Sequence, residues 1–547
     1  MTMTATNQMN RRTLLKTGAA GMTLVMSGAA AGRLAAQETS GQVVIGFSQE
    51  PTVMHPHMPH IEVDEGIHFN LFDPLFIVDT EGNFQPSLAR EVPTVENGGI
   101  SEDGLNWRVK LRDDVTWHDG EPFTAEDVKF TIELNQAPDF SAMRRNGHEL
   151  VRNIQIVNDH ELTWEMAEPF APYPAILSWT FIVPAHVLAG AENPNETDFR
   201  SNPIGTGPFK FGERVAGNYI LLTANPDYFG DGPYLERAIF RYIPDMTVLY
   251  TQFRTGDIDV IGLQGIQPDR YEQAQQIPER EIVIAPSSAV ESITFNMGKP
   301  QFQDPEVRRA LSLALDRETI VETLYYGIPE QTESFLPRES FYYNENLPKP
   351  EFDPEQAAQV LDEAGWLPGD DGVREKDGVR LSFKNSTTAG NKVREQAQQL
   401  IQQTYASIGV EMAISNLPPA VMWGEYWMMS QFDTVMVGIT FTTGPDPDVS
   451  NYLHSSSISA QGGAGQNTWQ YENAKVDELL EQGGRMFVPE KRKEVYDEIQ
   501  RLVHEDMPFL PMFQYANLRG HKTGLEGFNP NVNVRIETWN LNEWRWA

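Results

Sequence analysis

The 547-residue chain contains no cysteine. That excludes disulfides, thiol catalysis and cysteine-held zinc, and it leaves methionine as the only sulfur open to oxidation. Cations are scarce as well: 42 Lys and Arg stand against 77 Asp and Glu, for a net charge of −35. A surface of that sign repels phosphate backbones, so nucleic acid is disfavoured as a partner. The acidic excess reads instead as solubility in a salty or extracellular medium. Long apolar runs are also missing, since no stretch beyond the N-terminal segment approaches the roughly 18 consecutive apolar residues of a membrane-spanning helix.

Residues 1–36 lack acid altogether and carry Arg11, Arg12, Lys16 and Arg33. The paired arginines precede a modest apolar run from Gly18 to Ala31, and Arg33-Leu34-Ala35-Ala36 offers a small-residue cleavage site. The segment reads as an export signal of the twin-arginine type; a Sec signal with two adjacent arginines is the alternative. Removing its four cations takes the charge from −35 to −39. With no cysteine to carry a lipid anchor, a periplasmic, unanchored protein is expected. The remaining chain, about 511 residues, exceeds the size at which a single core stops growing, so two or three domains are expected.

The rest is patterned as short strands, turns and helices. Val43 to Phe47 suits a buried strand. Trp107, Val109 and Leu111 alternate with Arg108, Lys110 and Arg112, a strand with one buried face. In WHDGEPFTAEDVKFTIE (117–133) Thr124 caps a helix with Asp127 as its reciprocal partner, and this account uses His118 and Asp119 in the turn rather than as a catalytic pair. Residues 202–262 are apolar and aromatic strand segments cut by glycine and proline turns. From Ile293–Asn296 onward strands alternate with helices. Asp304-Pro305, Asp316 and Asp353-Pro354 open helices, and the segment 381–414 reads β-α-β, so a sheet with parallel strands is expected there. Trp423, Tyr426 and Trp427 follow Pro418-Pro419 on a predicted helix and are assigned to the core.

Three segments carry a family resemblance: NPIGTGPFKF (202–211), NPDYF (225–229) and TGDIDV (255–260). Leu71-Phe72-Asp73-Pro74-Leu75, Glu50-Pro51 with Pro56, and VRRALSLALDRETIVETLYYG (307–327) add to it. Together they resemble family 5 solute-binding proteins, the periplasmic receptors of peptide, nickel-complex and related ABC importers. The resemblance implies an α/β, two-lobed periplasmic-binding-protein architecture with an extra mixed α+β subdomain in the first lobe. It divides the chain into a first lobe at 43–64 and 196–285, the subdomain at 65–195, a second lobe at 286–509, and a C-terminal return to the first lobe at 510–547. It also implies a monomer that hands its ligand to ABC permease subunits, without enzymatic activity or cofactor.

Site residues follow from the same resemblance. Peptide-binding relatives use an aspartate in the loop that here spans 440–448, which nominates Asp446 or Asp448 as counter-charge for a peptide amine, with Thr440 and Phe441 beside them; a solvated turn explains the same residues. Asn467 and Trp469 lie in a segment that resembles one near the cleft, where Trp469 stacks on a ligand ring or walls a pocket. The carboxylate clamp of dipeptide-selective relatives falls near 385–395, where Arg394 sits within a helical pattern. Oligopeptide is the expected ligand. Oligosaccharide, using Trp469 and the hydroxyls of Ser386 to Thr388, is an alternative. A nickel or copper complex held by the loop bearing His55, His57 and His60 is another, although a turn with incidental histidines accounts for the same residues. A secreted hydrolase is the rival from another class, but no carboxylate pair is singled out by spacing.

Overall fold

The computed structural model describes residues 39–547, so the export-signal reading at 1–36 lies outside them. Among the described residues no helix is long and apolar enough to cross a membrane. The chain enters on β1 (Gln42–Phe47), which buries Val43, Ile45 and Phe47, and after a proline-bound loop forms α1 (Glu62–Leu71). A block with its own core follows: β2 (Asn106–Lys110), α2 (Ala125–Gln136), β3 (Val151–Asn158) and β4 (Glu161–Met166). β4 lies between β2 and β3 in an antiparallel sheet. The expected alternation is present: Trp107 and Val109 point inward, and Trp107 stacks on Trp164 with ring centroids 5.7 Å apart. Thr124 caps α2, its N–H donating to Asp127 Oδ2 at 2.9 Å.

The chain then rejoins the sheet of β1. β5 (Phe209–Val215) and β6 (Tyr219–Ala224) form a hairpin, β7 (Arg237–Tyr242) and β8 (Val260–Ile266) lie parallel to β1 on either side of it, and β9 (Arg280–Phe295) leaves for a second lobe. That lobe contains α3 (Pro305–Leu313), α4 (Arg317–Leu324), α5 (Pro354–Glu363), β10 (Ser382–Ser386), α6 (Lys392–Ser407), β11 (Glu411–Ile414), β12 (Thr434–Thr440), α7 (Ala474–Gly484) and α8 (Pro489–Asp506). Its helix starts follow the aspartates: Asp304, Asp316 and Asp353 accept from the N–H groups of Glu306, Thr319 and Gln356 at 2.8 to 3.0 Å. β10 pairs parallel with both β11 and β12, as the β-α-β pattern predicts. Of the aromatics assigned to the core at 419–427, Trp427 is buried and stacks on Phe432, but Trp423 is 43% exposed and is a surface residue.

β13 (Phe509–Lys522) closes the architecture. Among the described residues one mixed sheet runs in the order β11-β10-β12-β9-β13-β8-β1-β7-β6-β5. β9 and β13 pair antiparallel from Arg280 opposite Lys522 to Thr294 opposite Phe509. Their two ends lie in different cores. Ile293, Phe295, Leu510, Met512 and Phe513 pack with α3 and α5, whereas Ile282 and Leu518 pack with Ile243, Leu249 and Phe253. Between these ends the register slips, with Pro286 opposite Ala516 and Val290 opposite Gln514, so that residues 287–289 form a bulge. The sequence reading found only the last turn of pleat, Ile293 to Asn296, because Pro286-Ser287-Ser288 interrupts the alternation; the strand continues through them because the ladder is already broken at the bulge. The C-terminal segment returns to β1: Ile536, Leu541 and Trp544 share its core, and Trp546 Nε1–H donates to Gln42 O at 3.0 Å.

The segments that carry the family resemblance meet in one knot. Asp73 accepts hydrogen bonds from Thr206 Oγ1 at 2.7 Å and Tyr228 Oη at 3.1 Å. Burial pushes the Asp73 carboxyl up to about 6. A Cβ on Gly205 would stand 1.6 Å from Leu71 O, and one on Gly207 2.6 Å from Asn70 O, so only glycine lets the two chains approach. His118 is tied to the same place: its Nδ1 accepts from Gly205 N–H at 3.1 Å and its Nε2–H donates to Gly207 O at 3.0 Å. Asp119 faces His186 instead, at 2.9 Å. His118 and Asp119 thus serve the turn and the knot.

Candidate functional site

The space between the lobes lies where β9 and β13 cross. A cavity of about 900 Å³, counting its open mouth, is walled by first-lobe Glu62, Arg519 and Arg535, by the bulge at 287–289, and by second-lobe Thr440. A second cavity, of about 560 Å³, is lined by His57, His60, Glu65, Arg144 and Trp179 of the first lobe with Thr443 of the second. Glu62 and Glu65 are three residues apart on α1, hence on one face, and each borders one of the two cavities. Burial pushes the Glu62 carboxyl above its ordinary range, with Glu65 and Glu537 adding to the shift against Arg535 and Arg519. Arg144 lies over the Trp179 ring at 5.2 Å, a cation–π contact. Arg519 is buried against Glu537, Nη1 to Oε2 at 2.5 Å.

The floor of the crossing is a second buried charge cluster. Arg394 on α6 makes two hydrogen bonds of 2.7 Å to Glu291 on β9, and Tyr515 Oη on β13 donates to Glu291 Oε2 at 2.5 Å. Burial alone would lower the Arg394 pKa; the Glu291 carboxylate more than reverses this and holds the guanidinium charged. Glu291 therefore occupies the arginine that a carboxylate clamp would use.

The structure separates the residues nominated from sequence. Asp446 is buried and bound in bidentate fashion by Arg492, at 2.5 and 3.0 Å, so its charge is already neutralised inside the protein. Asp448 turns back onto Ser450, accepting from its N–H at 3.1 Å and its hydroxyl at 2.6 Å. Burial, with Asp446 beside it, pushes the Asp448 carboxyl upward. Neither aspartate faces the gap as a free counter-charge. Trp469 is fully buried in an aromatic core with Phe441, Tyr452 and Phe509, so it does not wall a pocket, and Phe441 belongs to that core too. Asn467 is buried and holds the backbone, donating to His454 O at 3.1 Å and Tyr471 O at 2.8 Å. Of the six, Thr440 borders the cavity at the strand crossing, and Asp446, held by Arg492, borders a third cavity between residues 81–174 and the second lobe. The hydroxyls read toward a sugar are inward as well: Ser386 Oγ meets Tyr426 Oη at 2.8 Å and Thr387 Oγ1 donates to Met436 O at 2.9 Å.

One ring nitrogen of each histidine in the loop at 55–60 is engaged by the backbone around it. His57 Nε2 lies 2.7 Å from Phe181 O, His60 Nδ1 lies 2.8 Å from Met58 O, and His55 Nδ1 accepts from His57 N–H at 3.2 Å. Burial pushes His57 down to about 4. Among the described residues no three His, Asp or Glu side chains are grouped so as to hold a metal ion. The cleft residues missed from sequence are Glu62, Glu65, Arg144 and Arg535. Only the i, i+3 spacing of the two glutamates was a usable signal, and Asp64 between them hides it by capping the helix.

At the outer edge the lobes touch. Ala171 N–H donates to Gly484 O at 2.7 Å, Phe487 packs against Trp107 at 6.2 Å between ring centroids, and Arg485 approaches Glu168 at 4.0 Å. Two lobes on a pair of crossing strands, closed over charged cavities at the crossing, are the construction of a ligand-capturing binding protein. Residues 83–461 match the bacterial extracellular solute-binding proteins, family 5, middle region, and the chain belongs to that family. It is 29% identical over 520 residues to the oligopeptide-binding protein AppA of Bacillus subtilis, covering 93% of this chain and 92% of that protein. It is 30% identical over 470 residues to protein XP55 of Streptomyces lividans, covering 86% and 82% of the two chains. Among solved structures, AppA in complex with a nonapeptide superposes with a TM-score of 0.74 at 29% identity, covering 93% of this chain and all of that one. NikZ of Campylobacter jejuni in complex with Ni(L-His) gives 0.76 at 27% identity, covering 92% and 99%.

Proposed function

We propose that the chain is the periplasmic substrate-binding component of an ABC importer, that it captures oligopeptides between its lobes, and that it passes them to membrane permease subunits as a monomer without chemical conversion. The observation that carries this reading is the cavity of about 900 Å³ at the strand crossing, bordered by both lobes and by the bulge that joins them. An extended peptide suits such a gap, because its backbone is held by main-chain partners while side chains occupy tolerant pockets. The likeness to AppA in sequence and fold supports the peptide class. The NikZ likeness keeps a metal complex as the second reading, in which the ligand brings its own chelator rather than relying on protein histidines.

In this reading the lobes exchange at 286–290 and 514–516. Bending at the bulge opens the cleft, and the contacts of Ala171 with Gly484 and of Phe487 with Trp107 form only on closure. Ligand bound to both lobes shifts the population toward the closed form. Small-angle X-ray scattering of the exported protein, with and without a mixture of two- to nine-residue peptides, tests this directly: the radius of gyration falls on peptide addition. No change in scattering at peptide concentrations that saturate binding would refute hinge closure.

A further inference from the structure

Glu65 is 4% exposed and borders the smaller cavity, yet its carboxylate is incompletely partnered. Oε1 lies 3.7 Å from His60 Nε2 and 3.9 Å from Arg144 Nη2, beyond hydrogen-bond range, and Oε2 has no hydrogen-bond partner. A buried carboxylate oxygen left without a donor is costly, and a ligand ammonium with its three donors would satisfy it. Arg535 is the reverse case. It is exposed, borders the larger cavity, and among the described residues its guanidinium makes no ion pair or hydrogen bond, although the field of Glu62 reaches it. The second lobe offers no competing carboxylate in the loop at 440–448: Asp446 is held by Arg492 and Asp448 by Ser450, leaving Thr440 and Thr443 facing the cavities.

Resting on the peptide reading above, we propose that this chain anchors both charged ends of its ligand from the first lobe: Glu65 takes the peptide amino terminus in the smaller cavity, and Arg535 takes the carboxylate in the larger one. The preferred substrates are accordingly peptides with both termini free, and the apolar wall of Met143, Ile176 and Trp179 around Glu65 favours an apolar first residue. Second-lobe threonines close over the backbone without reading charge.

The test is isothermal titration calorimetry of the mature full-length chain with alanine-based tri- to pentapeptides carrying an N-terminal leucine, each in free, N-acetyl and C-amide form. In the parent protein acetylation weakens binding by about 10- to 100-fold, the range for losing a charge-assisted hydrogen bond to a buried group. Glu65→Gln, which keeps the shape, brings the free and acetylated forms to within about threefold of each other, and Arg535→Gln does the same for the acid and amide forms. Asp446→Asn leaves both ratios unchanged. Equal binding of free and acetylated peptides by the parent protein overturns the assignment of Glu65 without needing a variant. Unchanged ratios in Glu65→Gln and Arg535→Gln overturn it while leaving the peptide reading intact. Absence of binding by every peptide overturns both.

Discussion

Arg492→Met removes the partner of a buried carboxylate and is the most informative single change in the loop at 440–448. Both side chains of the Arg492–Asp446 pair are nearly inaccessible, and their two hydrogen bonds measure 2.5 and 3.0 Å. After the change Asp446 keeps only a donor from Asp448 N–H, at 2.9 Å. Breaking a buried pair from one side costs about 3–5 kcal/mol, because the remaining charge stays desolvated. Unfolding entropy near 2.1 cal/mol/K per residue, summed over roughly 500 residues, converts this to a fall in Tm of about 3–5 °C. The double variant Arg492→Met, Asp446→Asn removes the orphaned charge and recovers most of the loss, so a double-mutant cycle returns a coupling of about 2–3 kcal/mol. Thermal unfolding followed by calorimetry provides the stabilities, and peptide titration of Asp446→Asn provides the affinity. The reasoning fails if Asp446→Asn melts at the parent temperature and loses its affinity for peptides with a free amine, since Asp446 would then be a ligand residue and not a structural one.

Three further outcomes follow from the same geometry. His118 and His57, each depressed to about 4 by burial, bind protons more readily unfolded than folded, so their stabilisation is complete above pH 6.5 and is lost as pH falls toward 4, by about 3 kcal/mol for each group; denaturant midpoints measured from pH 7.5 to 4 check this, and His118→Gln flattens part of the slope. Gly205→Ala places a methyl group on Leu71 O and yields no folded protein, whereas Gly217→Ala, whose Cβ position is open, is recovered with only the strain of its positive φ; yield and thermal unfolding distinguish the two. Phe487→Ala removes an aromatic contact made across the lobes, costs the closed state about 1–2 kcal/mol, and weakens peptide binding by about 5- to 30-fold with little change in the Tm of the empty protein.

The fold was far more legible than the site, for a physical reason. The segments that gave the family away, around Asp73, Gly205 to Gly207 and Tyr228, meet in one backbone knot that admits little else, so their residue types are dictated locally. Helix caps at Asp304, Asp316 and Asp353 are likewise local and were read correctly. The cleft is assembled from residues far apart in sequence: Glu62, Thr440 and Arg535 border one cavity and Arg144 and Thr443 the other, with β9 and β13 carrying the chain between the lobes that supply them. Asp446 misled because a turn-forming aspartate looks the same whether or not an arginine 46 residues later claims it. Trp469 misled because burial, not residue type, decides whether an aromatic walls a pocket. Most of the long β9 was unread beyond Ile293 to Asn296 because its bulge breaks the alternation by which strands are recognised.

The central claim is that the ligand is an oligopeptide held between the lobes. Native mass spectrometry of the protein, purified without refolding, tests it most directly. The account predicts bound masses forming a ladder of short peptides, displaced by added free-terminus peptide. A single bound mass matching a sugar or a nickel or copper complex, undisturbed by excess peptide, would contradict it.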